Sequence, residues 1–120
     1  MQEVQEVEEQ PIEYTAYTVD ELEEDLEKNP MKASQKYLDQ YVELTGKLEV
    51  IDSSGKYFSL VELNNQFAIL GVHCTFTNDE QKDVIMDCEV GDKLIVKGQI
   101  TDVGEVMHYS MKLDSVEKAS

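Results

Sequence analysis

The sequence contains no arginine: its ten basic residues are all lysines, set against 26 acidic residues, for a formal net charge of -16. Arginine is the usual bidentate reader of phosphate and guanine, and it stacks on exposed bases. A charge of this sign also repels a polyanion as it approaches, so nucleic acid is disfavoured as a partner. The charge is uneven. Residues 1–29 hold eleven acids and one lysine, and residues 30–120 hold fifteen acids and nine lysines. The body of the chain therefore stays acidic without its N-terminal part.

Apolar runs are short, well under the ~20 residues of a membrane-spanning helix. No signal-like apolar stretch follows Met1. The only cysteines, Cys74 and Cys88, are too few for a disulfide framework, and neither has zinc-like spacing to a second Cys or His. His73 and Cys74 are neighbours on a strand, so their side chains face opposite ways and cannot share a metal. His108 has no carboxylate pattern beside it. Asp79, Glu80, Asp83 and Asp87 cluster without the spacing of a calcium loop and read as a solvated face. There is no nucleophile elbow, phosphate-binding glycine loop or paired-carboxylate motif. The expectation is a protein that is not an enzyme, with no metal and no cofactor.

What is present suits one globular domain: 120 residues, 41% hydrophobic and 30% charged. Residues 1–17 read as a flexible acidic leader, with five glutamates and no lysine in the first thirteen. Residues 18–39 read as a helical arm. Thr18 and Glu21 form a capping-box pattern, and Val19, Leu22 and Leu26 make one apolar stripe. Asn29-Pro30 ends that helix and starts a second over 30–38, with Ala33 and Tyr37 on one face.

From residue 40 the period changes to two. Residues 41–51 alternate, with Val42, Leu44, Leu48 and Val50 facing one way. Further strands are predicted over 56–63, 67–76, 93–101 and 106–113, and a short helix over 78–86 with Asn78 as its cap. Asp102 to Glu105 reads as a tight turn, and 118–120 as a frayed tail. The order β-β-β-α-β-β over 40–117 is that of a five-stranded OB-type barrel, mainly β, with the helical arm in front. Mid-strand glycines suit the strong bending of a small barrel. An open antiparallel sheet with one helix is the competing architecture.

Four blocks give the chain a family likeness. Asn29, Ala33 and Tyr37 have the spacing of a helix ahead of a barrel. Leu44-Thr45-Gly46-Lys47-Leu48-Glu49-Val50-Ile51 matches a first-strand V-T-G-K-V-like run. Cys74-Thr75-Phe76 matches a third-strand C-x-F. Gly91-Asp92-Lys93-Leu94-Ile95-Val96-Lys97-Gly98 matches a G-D-x-V-x-V-K-G turn and strand. Over roughly residues 18–116 the chain resembles the tRNA-anticodon-binding-like OB-fold family, bacterial proteins that include many predicted lipoproteins. The resemblance implies the fold more strongly than a ligand. It also favours the cell envelope, as a processed lipoprotein or secreted protein, over the cytoplasm.

OB barrels bind through the outer face of their second and third strands and the flanking loops. The candidate ligand face comprises Tyr41, Lys47, Tyr57, Phe58, Phe67, His73 and Tyr109. Alternation does not say which of Tyr57 and Phe58 points outward, because that strand is apolar on both faces. Acidity and the absence of arginine favour a protein or peptide partner. Single-stranded nucleic acid is the alternative, and would need Lys47, Lys56, Lys97 and Lys112 gathered on one face. A carbohydrate-binding barrel is the third reading. The sequence sets no oligomeric state.

Overall fold

The computed structural model describes residues 11–119. Its elements are β1 (Thr15–Thr18), α1 (Val19–Lys28), α2 (Pro30–Tyr37), β2 (Tyr41–Ile51), β3 (Tyr57–Val61), β4 (Val72–Thr75), α3 (Asp79–Met86), β5 (Lys93–Gly104) and β6 (His108–Lys118). The strands run in the order β1-β2-β3-β4-β6-β5, and β2 also pairs with β5. That second pairing closes β2, β3, β4, β6 and β5 into a barrel. All its pairs are antiparallel except β4–β6. This is the OB-type barrel, and β1 adds a sixth strand parallel to β2.

The helices start where local chemistry dictates. Thr18 and Glu21 form the complete capping box of α1, Asn29 caps α2 and Asn78 caps α3. Val19, Leu22 and Leu26 of α1 and Ala33 and Tyr37 of α2 bury their faces in the barrel core with Leu44, Leu48, Phe58 and Leu60. Gly46 lets α1 lie this close to β2, since a Cβ there would come within 2.6 Å of Val19 Cγ2. On α3, Gln81 is buried. It donates to the Leu113 and Asp114 carbonyls of β6 (3.2 and 3.1 Å) and accepts from the Thr77 N–H (2.8 Å). Cys74 and Cys88 are free, buried thiols, and burial raises the pKa of both.

The sequence reading needs four corrections. First, the domain begins earlier than Thr18: residues 15–17, expected in the leader, form most of β1. Tyr14 packs edge-on to Tyr41 and donates to Asp114 at 2.8 Å. Residues 1–10 of that leader lie outside the described residues. Second, the strand expected over 67–76 is only Val72–Thr75. The chain leaves the sheet after Val61 because Asp20 of α1 accepts the Leu63 and Asn64 N–H groups (2.7 and 3.2 Å). It rejoins at Val72, just after Gly71, which presses on the Leu60 carbonyl; a Cβ there would meet that oxygen at 2.1 Å. Third, Val50 is exposed rather than inward, because a bulge between Leu48 and Val50 reverses the alternation. Fourth, the last hairpin is longer than expected. β5 continues through Asp102 to Gly104, and β6 runs to Lys118, where the Ala119 N–H still donates to the Lys93 carbonyl.

Candidate ligand-binding face

Register decides which side chains share the barrel's outer surface. Val50 lies opposite Ser59, Ser59 opposite His73, His73 beside Ser110, and Ser110 opposite Asp102. A second row runs Tyr57, Thr75, Lys112, Gln99. Tyr57 and His73 are diagonal neighbours across β3 and β4, within reach of aromatic rings. They stack with ring centroids 4.0 Å apart and planes at 24°.

This ring pair floors a shallow trough of about 170 Å³, walled by Val50, Ile69, Leu70 and Met107. Ile69 and Leu70 come from the loop between β3 and β4, and Met107 from the turn between β5 and β6. They are 75%, 40% and 61% exposed, respectively. Beside them, Phe67 and Val106 are also exposed. Ser59 Oγ is buried at the trough, with no hydrogen-bond partner among the described residues.

Of the seven candidates read from the sequence, Tyr57 and His73 line the trough, and Phe67 stands exposed on the loop that forms its wall. Tyr41 and Lys47 lie elsewhere, on the β2–β5 side, opposite Gln99 and Lys93. Phe58 and Tyr109 are not on the face, since both are wholly buried in the core. Phe58 packs on Phe76. Tyr109 donates its hydroxyl to the Leu22 carbonyl at 2.6 Å. Register places Tyr57 outside and Phe58 inside, which alternation alone left open.

The lysines are scattered. Lys47 faces Lys93 across β2 and β5, and Lys97 lies opposite Glu43 with its Nζ over the Tyr14 ring. Lys56 follows the turn held by Asp52, and Lys112 projects from β6 beside Thr75. Only Lys112 stands in the rows that carry the Tyr57–His73 pair.

Sequence reasoning missed Val50, Ile69, Leu70 and Met107 as wall residues, because each reads as core. It also missed the partner of His108. The His108 Nδ1 lies 2.5 Å from Glu23 Oε1 of α1. The signal for this contact was faint: Glu23 lies one step past Leu22 on the apolar side of the helix.

The fold is a closed five-stranded OB barrel with an apolar trough on the outer face of β3 and β4. The chain belongs to the tRNA_anti-like family, a binding-domain type, whose profile matches residues 1–109. No curated protein matches the sequence. Among solved structures the chain is similar to a candidate nucleic-acid-binding lipoprotein from Klebsiella pneumoniae subsp. pneumoniae MGH 78578. The TM-score is 0.62 at 18% identity, over 89% of this chain and 92% of that one. It is similar to Entamoeba histolytica asparaginyl-tRNA synthetase in complex with asparaginyl-adenylate, with a TM-score of 0.60 at 7% identity. That match covers 92% of this chain but 24% of the synthetase. It is also similar to an OBody bound to hen egg-white lysozyme, with a TM-score of 0.57 at 13% identity, over 71% of this chain and 84% of that one. At these identities the likeness is one of fold. Among the described residues no helix is long and apolar enough to cross a membrane.

Proposed function

We propose that this chain is a non-enzymatic binding module that takes a peptide segment of a partner protein in the trough on β3 and β4. The observation that carries the reading is the make-up of that trough. Its walls are exposed aliphatic and methionine side chains, which gain by burying against apolar groups of a ligand. Its polar side chains open to a ligand, Tyr57 and His73, are few and suited to orienting one. A strand of phosphates would instead need gathered cations, and the lysines lie on different strands. The OBody bound to lysozyme supports the idea that this fold can present a protein-binding surface. The cell envelope is the proposed location, supported by the Klebsiella lipoprotein.

A second reading, single-stranded nucleic acid, is favoured by one feature: the Tyr57–His73 pair offers a flat surface for a base. One experiment separates the two. Peptides are selected from a random display library on the intact protein, and the best is titrated into isotopically labelled protein by NMR. We expect amide shifts at residues 57–59, 69–75 and 106–110, and about tenfold or greater loss of affinity in Leu70→Asp, the size of an interface hot spot. If no peptide uses this face while oligo(dT) shifts the same amides, the second reading replaces the first.

A further inference from the structure

We propose that a second cavity, between α1, the end of β3 and the β5–β6 turn, binds an organic cation: an alkylammonium or alkylguanidinium group. The inference is independent of what the trough binds. The cavity measures about 370 Å³ and is lined by Glu23, Glu27, Glu62, Glu105 and His108, with Leu26 and Pro30 as its apolar walls. No lysine lines it, and the nearby Lys28 is engaged with Glu24 at 2.8 Å.

Glu23 shows that this is more than an acidic surface. It is only 9% exposed, yet its Oε2 is buried with no hydrogen-bond partner among the described residues. Its other oxygen is taken by His108 Nδ1. An ionised carboxylate accepts at both oxygens, and leaving one unmatched in a buried setting is costly. Burial pushes the Glu23 carboxyl above its ordinary range. The His108 ring pulls it back, and the neighbouring carboxylates Glu62 and Glu27 push it further up. A cation in the cavity would offset the repulsion among Glu23, Glu27 and Glu62 and favour the ionised form of Glu23.

The chemistry of the cation follows from the spacing. Among the described residues no three acidic or histidine groups converge to hold a metal ion. Carboxylates spread around a wider cavity suit a group with several N–H donors, and a guanidinium can span two of them. Leu26 and Pro30 suit the methylene stem that such a group carries, as in a lysine or arginine side chain or a free polyamine.

The test is titration of the intact, isotopically labelled protein with n-butylguanidinium, n-butylammonium and, as a neutral control, n-butanol. Saturable shifts are expected at residues 23–27, 62 and 105–108 with the two cations and not with butanol. Glu62→Gln/Glu105→Gln removes two rim charges without touching the core, so its spectrum reports that the fold is intact. It should weaken both cations about tenfold or more, the loss expected of two close charge contacts. Two further probes identify the source. A glycine-flanked arginine peptide binding more tightly than butylguanidinium indicates a protein side chain; spermidine binding more tightly than either indicates a free polyamine. Absence of saturable shifts, shifts unchanged in the double variant, or calcium or zinc saturating the cavity while organic cations do not, would each overturn the proposal.

Discussion

Glu23 is the residue whose environment is most at odds with its charge, and the sign of the resulting pH effect can be worked out. Its carboxyl titrates higher in the folded chain than in the unfolded one, with burial as the leading cause. As pH rises, the unfolded chain loses this proton first, so stability falls through the interval between the two values and stays lower above it. Glu23→Gln removes the ionisation and keeps a side chain that can still bond His108. It should melt at a higher temperature than the parent near neutral pH. The gap should close as pH drops below ~4, where an ordinary glutamate is protonated in both states. Equal melting curves across that range would mean that His108 fully offsets the burial. The facing residue is strained as well, because His108 has φ 62, in the left-handed region. For a non-glycine residue that conformation costs ~1–2 kcal/mol.

Tyr109 belongs to the same corner and separates core from face. Its hydroxyl donates to the Leu22 carbonyl, so Tyr109→Phe should cost about 1 kcal/mol in chemical denaturation. It should leave ligand affinity unchanged. A loss of affinity with stability intact would return Tyr109 to the binding surface.

The helical arm is part of the fold rather than an appendage. Leu22 is wholly buried and sits in the barrel's core cluster. Leu22→Ala should therefore cost ~2–5 kcal/mol. An effect below ~0.5 kcal/mol, the size of a surface change, would show that α1 is loosely attached. The starts of all three helices were legible in the sequence because capping is local: Thr18 with Glu21, Asn29 before Pro30, and Asn78 each act within three or four residues. The strands were legible wherever burial alternates cleanly, as over Tyr41 to Leu48. What escaped depends on partners far along the chain. The loop that supplies Ile69 and Leu70 exists because Asp20 captures backbone 43 and 44 residues away. The exposure of Val50 follows from a bulge set by pairing with β3. The floor of the candidate face, Tyr57 and His73, was among the residues read from the sequence, although alternation left Tyr57 and Phe58 undivided. The walls were not, because an apolar residue that lines a trough has the same pattern as one that fills a core.

At the scale of the whole molecule, the acidity of the barrel and its trough bear on one question, whether the partner is a polyanion. The chain carries -16 net, and its ten basic residues include no arginine to fork a phosphate. Aromatic stacking on Tyr57 and His73 contributes ~1–3 kcal/mol per base, against the repulsion of the chain's net negative charge. The most direct check is fluorescence anisotropy of labelled oligo(dT) and mixed-sequence RNA with the intact protein across a range of salt. Binding weaker than micromolar at about 150 mM salt, with little response of the residual signal to salt, is the predicted result. Micromolar or tighter binding that falls steeply as salt rises and disappears in Tyr57→Ala would contradict it, and would make this face a single-strand nucleic-acid site.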